Sequence, residues 1–478
     1  MKKQLFLFVL FITACYSNAR SQATLETDIC VGCASAAVGT FAEYDGKLFF
    51  HAYDGVNGQE VWSWDGTTAT LEADINPTGT ALPRFFTEYN GKLFFGAKDG
   101  VNGNELWSFN GSTAIMEAEI RPGNAGSAIY ELTVYNGKLY FSANDGNTGL
   151  ELWSFDGSTL TAETDIAPGS IWSEPEYLTL YDNKLFFTAN DDVNGWELWS
   201  FDGNTATLEA DIDPNGGSGP VYLTVFNGKL FFGANNGTDG AELWSFDGST
   251  ATLEADIDPN GGSDPAYLTV YNGKLYFAAD NGTDGNELWS FDGSIATLAA
   301  DINPGALDSS PEGQMAVYHN KLYFSAYDAT NGRELWSFDG TNAALAADIW
   351  PGSIGSLTWV ETWMHVYNDK LYFNAYDAVD GMELWSYNDL NVGIEQVQQD
   401  LVLLVHPNPT NGQIRIELGT QIQDLTMNVY NTLGELVQTE HIGPGLYIDH
   451  ELPVAKGVYL IQLLSSDNVV RSISVVKE

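Results

Sequence analysis

The stretch that decides the fold reads Tyr222-Leu-Thr-Val-Phe226, Asn227-Gly228, Lys229-Leu-Phe-Phe-Gly-Ala234, Asn235-Asn-Gly-Thr-Asp-Gly240, Glu242-Leu-Trp-Ser-Phe246, Asp247-Gly248, Thr250-Ala-Thr-Leu-Glu-Ala-Asp-Ile257. Four β-type runs, here named a, b, c and d, are separated by Asn-Gly, Gly-rich and Asp-Gly turns. None has the apolar spacing of a helix. The unit recurs along the chain. Trp62, Trp107, Trp153, Trp199, Trp244, Trp289, Trp336 and Trp385 mark eight copies, spaced 45, 46, 46, 45, 45, 47 and 49 residues apart. A four-strand repeat of this length is a propeller blade.

The ends of the array point to a closed ring. The repeats open on a lone d strand, Thr24-Leu-Glu-Thr-Asp-Ile29. The last unit supplies a, b and c (Met364–Tyr367, Lys370–Ala375, Glu383–Tyr387) and then runs into Asn388-Asp389-Leu390. The first strand can complete the last blade, which leaves no open edge to template aggregation. The predicted fold is all-β: an eight-bladed β-propeller over residues 24–389, closed one strand plus three, then a linker over 390–402 and a β-sandwich over 403–478.

The Glu-Leu-Trp-Ser-Phe-Asp-Gly core resembles the ELWxxDGT repeats of bacterial secreted proteins. Two copies depart slightly, at Glu60-Val61-Trp62 and at Tyr387-Asn388-Asp389. That resemblance implies a propeller-like array and no enzyme activity. The tail carries a different signal: Pro407-Asn408-Pro409 with Gly412, a turn at Gly434, and Gly457-Val458-Tyr459. It resembles a type A C-terminal sorting domain of the type IX secretion system. The resemblance implies a small Ig-like β-sandwich, passage through the outer membrane by the type IX machinery, and release or attachment at the cell surface.

The N-terminus agrees with export. Lys2 and Lys3 precede an apolar run, Leu5 to Ala14, too short to span a bilayer and right for a signal-peptide core. Residues 1–23 read as that signal, cut before Thr24. Ile12-Thr13-Ala14-Cys15 is a rival lipoprotein box with Cys15 as the acylated residue. Removal of residues 1–23 leaves 16 bases against 64 acids. That balance excludes nucleic-acid binding as the main task and argues against an anionic membrane surface. No stretch of the mature chain reads as a transmembrane segment. Cys30 and Cys33 then remain as the only cysteines, and they read as a small structural disulfide.

Eight lysines recur at one position: Lys47, Lys92, Lys138, Lys184, Lys229, Lys274, Lys321 and Lys370. Counting back along each b–c hairpin places them beside the Asp of the Asp-Gly turn, for example Asp65 or Asp247, as ion pairs. The repeat Trp residues sit mid-strand between Leu and Phe, and packing between blades explains them better than sugar stacking.

The b–c loops carry oxygen donors around a Gly turn. Asp54 with Glu60, Asp99 with Glu105, and Asp145 with Glu151 are candidate Ca²⁺ ligands, with Asx-turn chemistry as the other reading. No cofactor is required; Ca²⁺ is the candidate. A specific site should sit where copies differ. The odd residues Arg84, Arg121, Trp172, Trp196, Trp350, Trp359 and Trp363 fall in or beside the b–c and d–a loops, which share one face of a propeller. They are candidates for glycan or protein recognition.

No His-Glu-x-x-His helix, Gly-x-Ser-x-Gly elbow or phosphate-binding loop is present. The expected function is a secreted or cell-surface, non-enzymatic binding or adhesion propeller. The alternatives are a polysaccharide-acting enzyme with paired acids and a calcium-binding structural surface protein.

Overall fold

The computed structural model describes residues 23–33, 35–357, 362–389, 403–406, 410–422, 425–431, 436–442, 445–452, 455–465 and 468–477. The chain divides into two compact units, residues 1–388 and 389–478.

Among the described residues, the first unit holds eight four-stranded antiparallel sheets and no helix. Each is a propeller-like blade. Val221–Phe226, Lys229–Asn235, Ala241–Phe246 and Ala251–Ala255 lie side by side as strands a to d of one sheet. The alternating large residues of strand b are buried on both faces, as Leu230, Phe231 and Phe232 are here. Such a sheet cannot stand alone, and its faces pack on the neighbouring sheets. Phe231 meets Phe291 of the next sheet at 5.6 Å between ring centroids, and Phe186 meets Phe246 at 5.7 Å.

The eighth sheet is composite. Thr24–Thr27 pairs antiparallel with Gly381–Tyr387, beside Lys370–Asp377 and Met364–Tyr367. Neighbouring sheets are stitched by the last tyrosine of strand a. Its hydroxyl donates to a carbonyl in the next sheet's a–b turn: Tyr44 to Gly91 (2.9 Å), Tyr89 to Gly137 (2.8 Å), Tyr135 to Asn183 (2.7 Å). The same bond runs from Tyr367 of the eighth sheet to Gly46 of the first, at 2.6 Å. The fifth sheet has Phe226 at this position and cannot make it.

The second unit is two antiparallel sheets around one core. Leu403–His406, Gln413–Ile422 and Gly445–Glu451 form the first. Leu436–Ile442, Leu425–Tyr430, Gly457–Ser465 and Asn468–Lys477 form the second. Ile416 and Ile448 from one meet Met427, Ile461 and Val475 from the other. That is a β-sandwich.

Candidate functional site

Two polar systems run through the sheets of the first unit, and neither matches the sequence expectation. The first belongs to the recurring Glu of strand c. Glu242 is fully buried and does not face the b–c loop acids. It accepts bonds from the backbone N–H groups of Ile257 (2.8 Å) and Ser263 (2.9 Å) and from the Ser263 hydroxyl (2.6 Å). It thereby ties the d–a loop back onto strand c. Glu60, Glu105 and Glu151 do the same, with Ile75, Ile120 and Ile166 as the first donors. In the composite sheet Glu383 reaches Ile29 (2.9 Å) and Ala36 (3.1 Å). Burial raises these carboxyls, to about 7 for Glu60, Glu287, Glu334 and Glu383, against the N–H bonds that lower them.

The loop aspartates expected as Ca²⁺ ligands are also committed inside the protein. The Asp54 carboxylate accepts from the backbone N–H of Val56 (2.9 Å) and Asn57 (2.8 Å) and from the Asn57 side chain (2.7 Å). Asp99 and Asp145 make the same Asx turn. Burial acts to raise Asp54, but these donors outweigh it and hold it below its ordinary value. The Asp and Glu of each pair thus serve different donors. Among the described residues, no group of three or more His, Cys, Asp or Glu is placed to hold a metal. The turn glycine is forced by close packing. Gly240 has φ +84°, and a Cβ on it would stand 2.5 Å from the Gly261 carbonyl oxygen in the d–a loop.

The second system corrects the lysine partners. Lys229 pairs with Glu254 of strand d at 2.6 Å, and the Ser245 hydroxyl of strand c donates to the same oxygen at 2.6 Å. Lys47–Glu72, Lys92–Glu117, Lys138–Glu163 and Lys184–Glu209 repeat it. In the composite sheet Lys370 and Ser386 share Glu26 of the first strand, at 2.7 and 2.5 Å. The Asp-Gly aspartates instead close their own turns: Asp65 accepts from the Thr67 hydroxyl (2.7 Å) and the Thr68 N–H (2.8 Å). Two d strands carry Ala299 and Ala346 where the others carry Glu.

Cys30 and Cys33 are joined as a disulfide, with Cα atoms 5.4 Å apart. The repeat Trp residues lie within the apolar clusters between sheets, as Trp107, Trp289 and Trp385 do.

The candidate site lies elsewhere, on the a strands. Six sheets hold a non-glycine residue of left-handed φ at one place, four residues before the end of strand a: Thr40, Phe85, Glu131, Tyr177, Tyr222 and Tyr267, with φ from 49° to 60°. Each lies in a register shift of the a–b pairing, as between Val221 and Thr224. Bulky side chains rarely adopt this conformation, and such strain collects at functional positions. The equivalent place in the eighth sheet is Trp363; the seventh sheet has an extra residue in strand a, and Gly313 takes the left-handed turn at φ +79°. The left-handed bulge is shared by six sheets, while the side chain on it is Thr, Phe or Glu in the first three and Tyr in the next three.

Five consecutive a strands here line a cavity of about 380 Å³. Tyr177, Tyr222, Tyr267 and Glu131 project to it, over a floor of Leu223 and Thr224 and their counterparts. The rings touch in sequence: Tyr177–Tyr222 at 5.4 Å and Tyr222–Tyr267 at 4.7 Å between centroids. Threonine hydroxyls tie the strands beneath, Thr179 to the Leu223 carbonyl (3.2 Å) and Thr224 to the Leu268 carbonyl (3.0 Å). Burial, then the nearby Glu176 charge, raises the Glu131 carboxyl, while the N–H groups of Leu178 and Tyr177 hold it back. Burial and the charges of Glu176 and Glu131 push Tyr177 up to about 12. Arg333 is buried beside Glu312 and donates to the Ser310 carbonyl (2.7 Å) and the Ser325 hydroxyl (3.2 Å).

Of the recognition candidates, Arg84 begins an a strand. Burial first, then the Arg84 charge, pushes the enclosed His51 down to about 4; a His51 ring nitrogen lies 3.0 Å from the Thr40 hydroxyl. Trp363 also stands near Gly39 and His51, with its backbone N–H donating to the Asn374 side chain (2.9 Å). The others are not gathered there. Trp172 is half exposed and sits over Gly149. Arg121 lies against Gly146, while Trp196 starts a c strand and Trp350 donates its N–H to Glu334 at 3.1 Å. Trp359 lies outside the described residues. The variable a-strand position was missed in the sequence, although aligning the eight copies on the last residue of strand a exposes it.

These features define a propeller-like repeat protein with a separate β-sandwich. Residues 404–477 match the family of the secretion system C-terminal sorting domain, so the chain carries a type IX sorting tail and is a secreted or cell-surface protein. Gly412, Gly457 and Tyr459 of its motif are described; Tyr459 donates to the Ala455 carbonyl at 2.8 Å. Pro407, Asn408, Pro409, Gly434 and Cys15 lie outside the described residues. Residues 277–414 match the family of outer membrane protein assembly factor BamB. No curated protein matches the chain. Among solved structures it is similar to a puromycin hydrolase, with 12% identity over 74% of this chain and 61% of that one and a TM-score of 0.43. A puromycin-hydrolyzing peptidase of Mycobacterium tuberculosis gives 8%, 74%, 61% and 0.43. Prolyl oligopeptidase B from Galerina marginata gives 10%, 71%, 55% and 0.43. The chain spans less than two thirds of the length of each. No helix among the described residues is long and apolar enough to cross a membrane.

Proposed function

We propose that this is a non-enzymatic binding propeller, exported by the type IX machinery and presented outside the cell, where it recognises a glycan or a surface protein. In this reading the ELWxxDGT-like repeats form eight blades closed as a ring by Thr24–Thr27. The Tyr367–Gly46 bond from the last sheet to the first supports that closure. No cofactor is needed.

The observation that carries the reading is the a-strand position. One strained backbone site is kept in six of the eight sheets, yet it carries Thr, Phe, Glu or Tyr. A position kept for the frame would repeat its side chain, as the buried Glu of strand c does. One that varies around a shared cavity fits a ligand of one asymmetric shape.

A second reading, a polysaccharide-acting enzyme, has Glu131 in its favour, a carboxyl raised by burial and by Glu176. Glycan and surface-protein binding by the mature chain tests both, alongside polysaccharide turnover. Saturable binding lost in Tyr222→Ala at unchanged melting temperature is the expected result. Turnover abolished by Glu131→Gln would overturn it.

A further inference from the structure

The wall of the a-strand cavity is chemically uneven. Three tilted tyrosine rings form one side, and Glu131 stands at one end of the arc, near Glu176. Arg333, the one buried cation nearby among the described residues, is directed at Ser310, Ser325 and Glu312 at the other end. Aromatic faces are electron-rich, and a carboxylate enclosed beside them is left short of compensating charge. A neutral ligand would leave it so. A compact metal ion wants six to eight oxygens, and the described acids are not grouped to supply them. A diffuse positive charge suits both the rings and the acid.

We propose, resting on the binding reading above, that the cavity lined by Tyr177, Tyr222, Tyr267 and Glu131 receives a substituted ammonium group of the ligand. About 380 Å³ is room for such a group with a short chain. The rings contact the alkyl substituents and the Glu131 carboxylate balances the charge.

Choline and its neutral isostere 3,3-dimethylbutan-1-ol test this by calorimetric titration of the mature chain. Choline is expected to bind at least tenfold more tightly. Glu131→Gln and Tyr222→Ala should each weaken choline at least tenfold, while Tyr222→Phe, which keeps the ring, should stay within about threefold. Equal affinity for the two probes, or choline binding unchanged in both weakening variants, overturns the proposal. So does the absence of choline binding. If choline fails while a neutral glycan binds and is lost in Tyr222→Ala, the ammonium inference falls and the binding site stands. If no probe depends on Tyr222, the site itself falls.

Discussion

Strand c and strand a treat their repeated positions in opposite ways. On strand c, Glu242 and its seven counterparts keep one residue type and the same kind of task, holding the d–a loop by its backbone N–H groups. On strand a, the position of Tyr222 keeps its left-handed backbone in six sheets but carries Thr, Phe and Glu in three of them and Tyr in the other three. Equivalent packing problems receive equivalent answers; a ligand that meets only one side of the array has no reason to. Repetition therefore marks the frame, and the break in repetition marks the candidate site.

Four experiments can break or sharpen that contrast. The largest effect is expected from a chain lacking residues 24–27, which should lose its single cooperative melt, because Gly381–Tyr387 is left as an open edge. A sharp transition at the parental temperature would mean that the eighth sheet does not need that strand. Next, Glu242→Ala should cost about 3 kcal/mol in chemical denaturation, by stranding the buried donors of Ile257 and Ser263. Ligand binding by the surviving folded fraction should be unchanged. A cost no larger than that of an exposed substitution would remove strand c from the frame.

Third is the dependence on pH. The strand c carboxyls lie above their unfolded value, several at about 7, so the folded chain holds more protons than the unfolded one between about 4.5 and 7. Their stabilisation is complete below the unfolded value and is lost as pH rises through 7. The Asx-turn aspartates, such as Asp54 and Asp99, are shifted downward and lose theirs only as pH falls below the unfolded Asp range. The melting temperature should be higher at pH 5 than at pH 8. A flat or rising profile over that range would mean that the N–H donors outweigh burial. Smallest is Tyr222→Gly. Glycine relieves the left-handed φ of +58° and so offsets part of the packing lost with the ring, and the melting temperature should fall by no more than a few degrees while ligand binding is lost. A larger fall would return Tyr222 to the frame.

Much of the frame was legible in the sequence because its signals are local. The runs around Asn227-Gly228 and Asp247-Gly248 announce hairpins, and the lone Thr24–Ile29 announces a strand whose partner lies far away. The lysine partners were not legible. Lys229 reaches past strand c to Glu254 on strand d, and a count along one hairpin stops at Asp247. The separate tasks of Asp54 and Glu60 were hidden for a similar reason: they are six residues apart, but one turns into its own loop and the other into the sheet. The cavity was hidden most deeply. Its residues come from five repeats, and the bulge that aims Tyr222 interrupts the alternation from which strand faces are read.

The bond between Ser386 and Glu26 joins residues 360 positions apart. From a fully unfolded chain, closing a loop of that length costs roughly 3 kcal/mol more entropy than closing a ten-residue turn. The eighth sheet therefore completes after the hairpins that lie between its parts. The time during which the eighth sheet remains incomplete is then set by its last segment in the chain, residues 364–387, which precedes the sorting domain. A substitution at Glu26 should consequently appear first as a slower final folding phase, at a residue far from where the delay is felt.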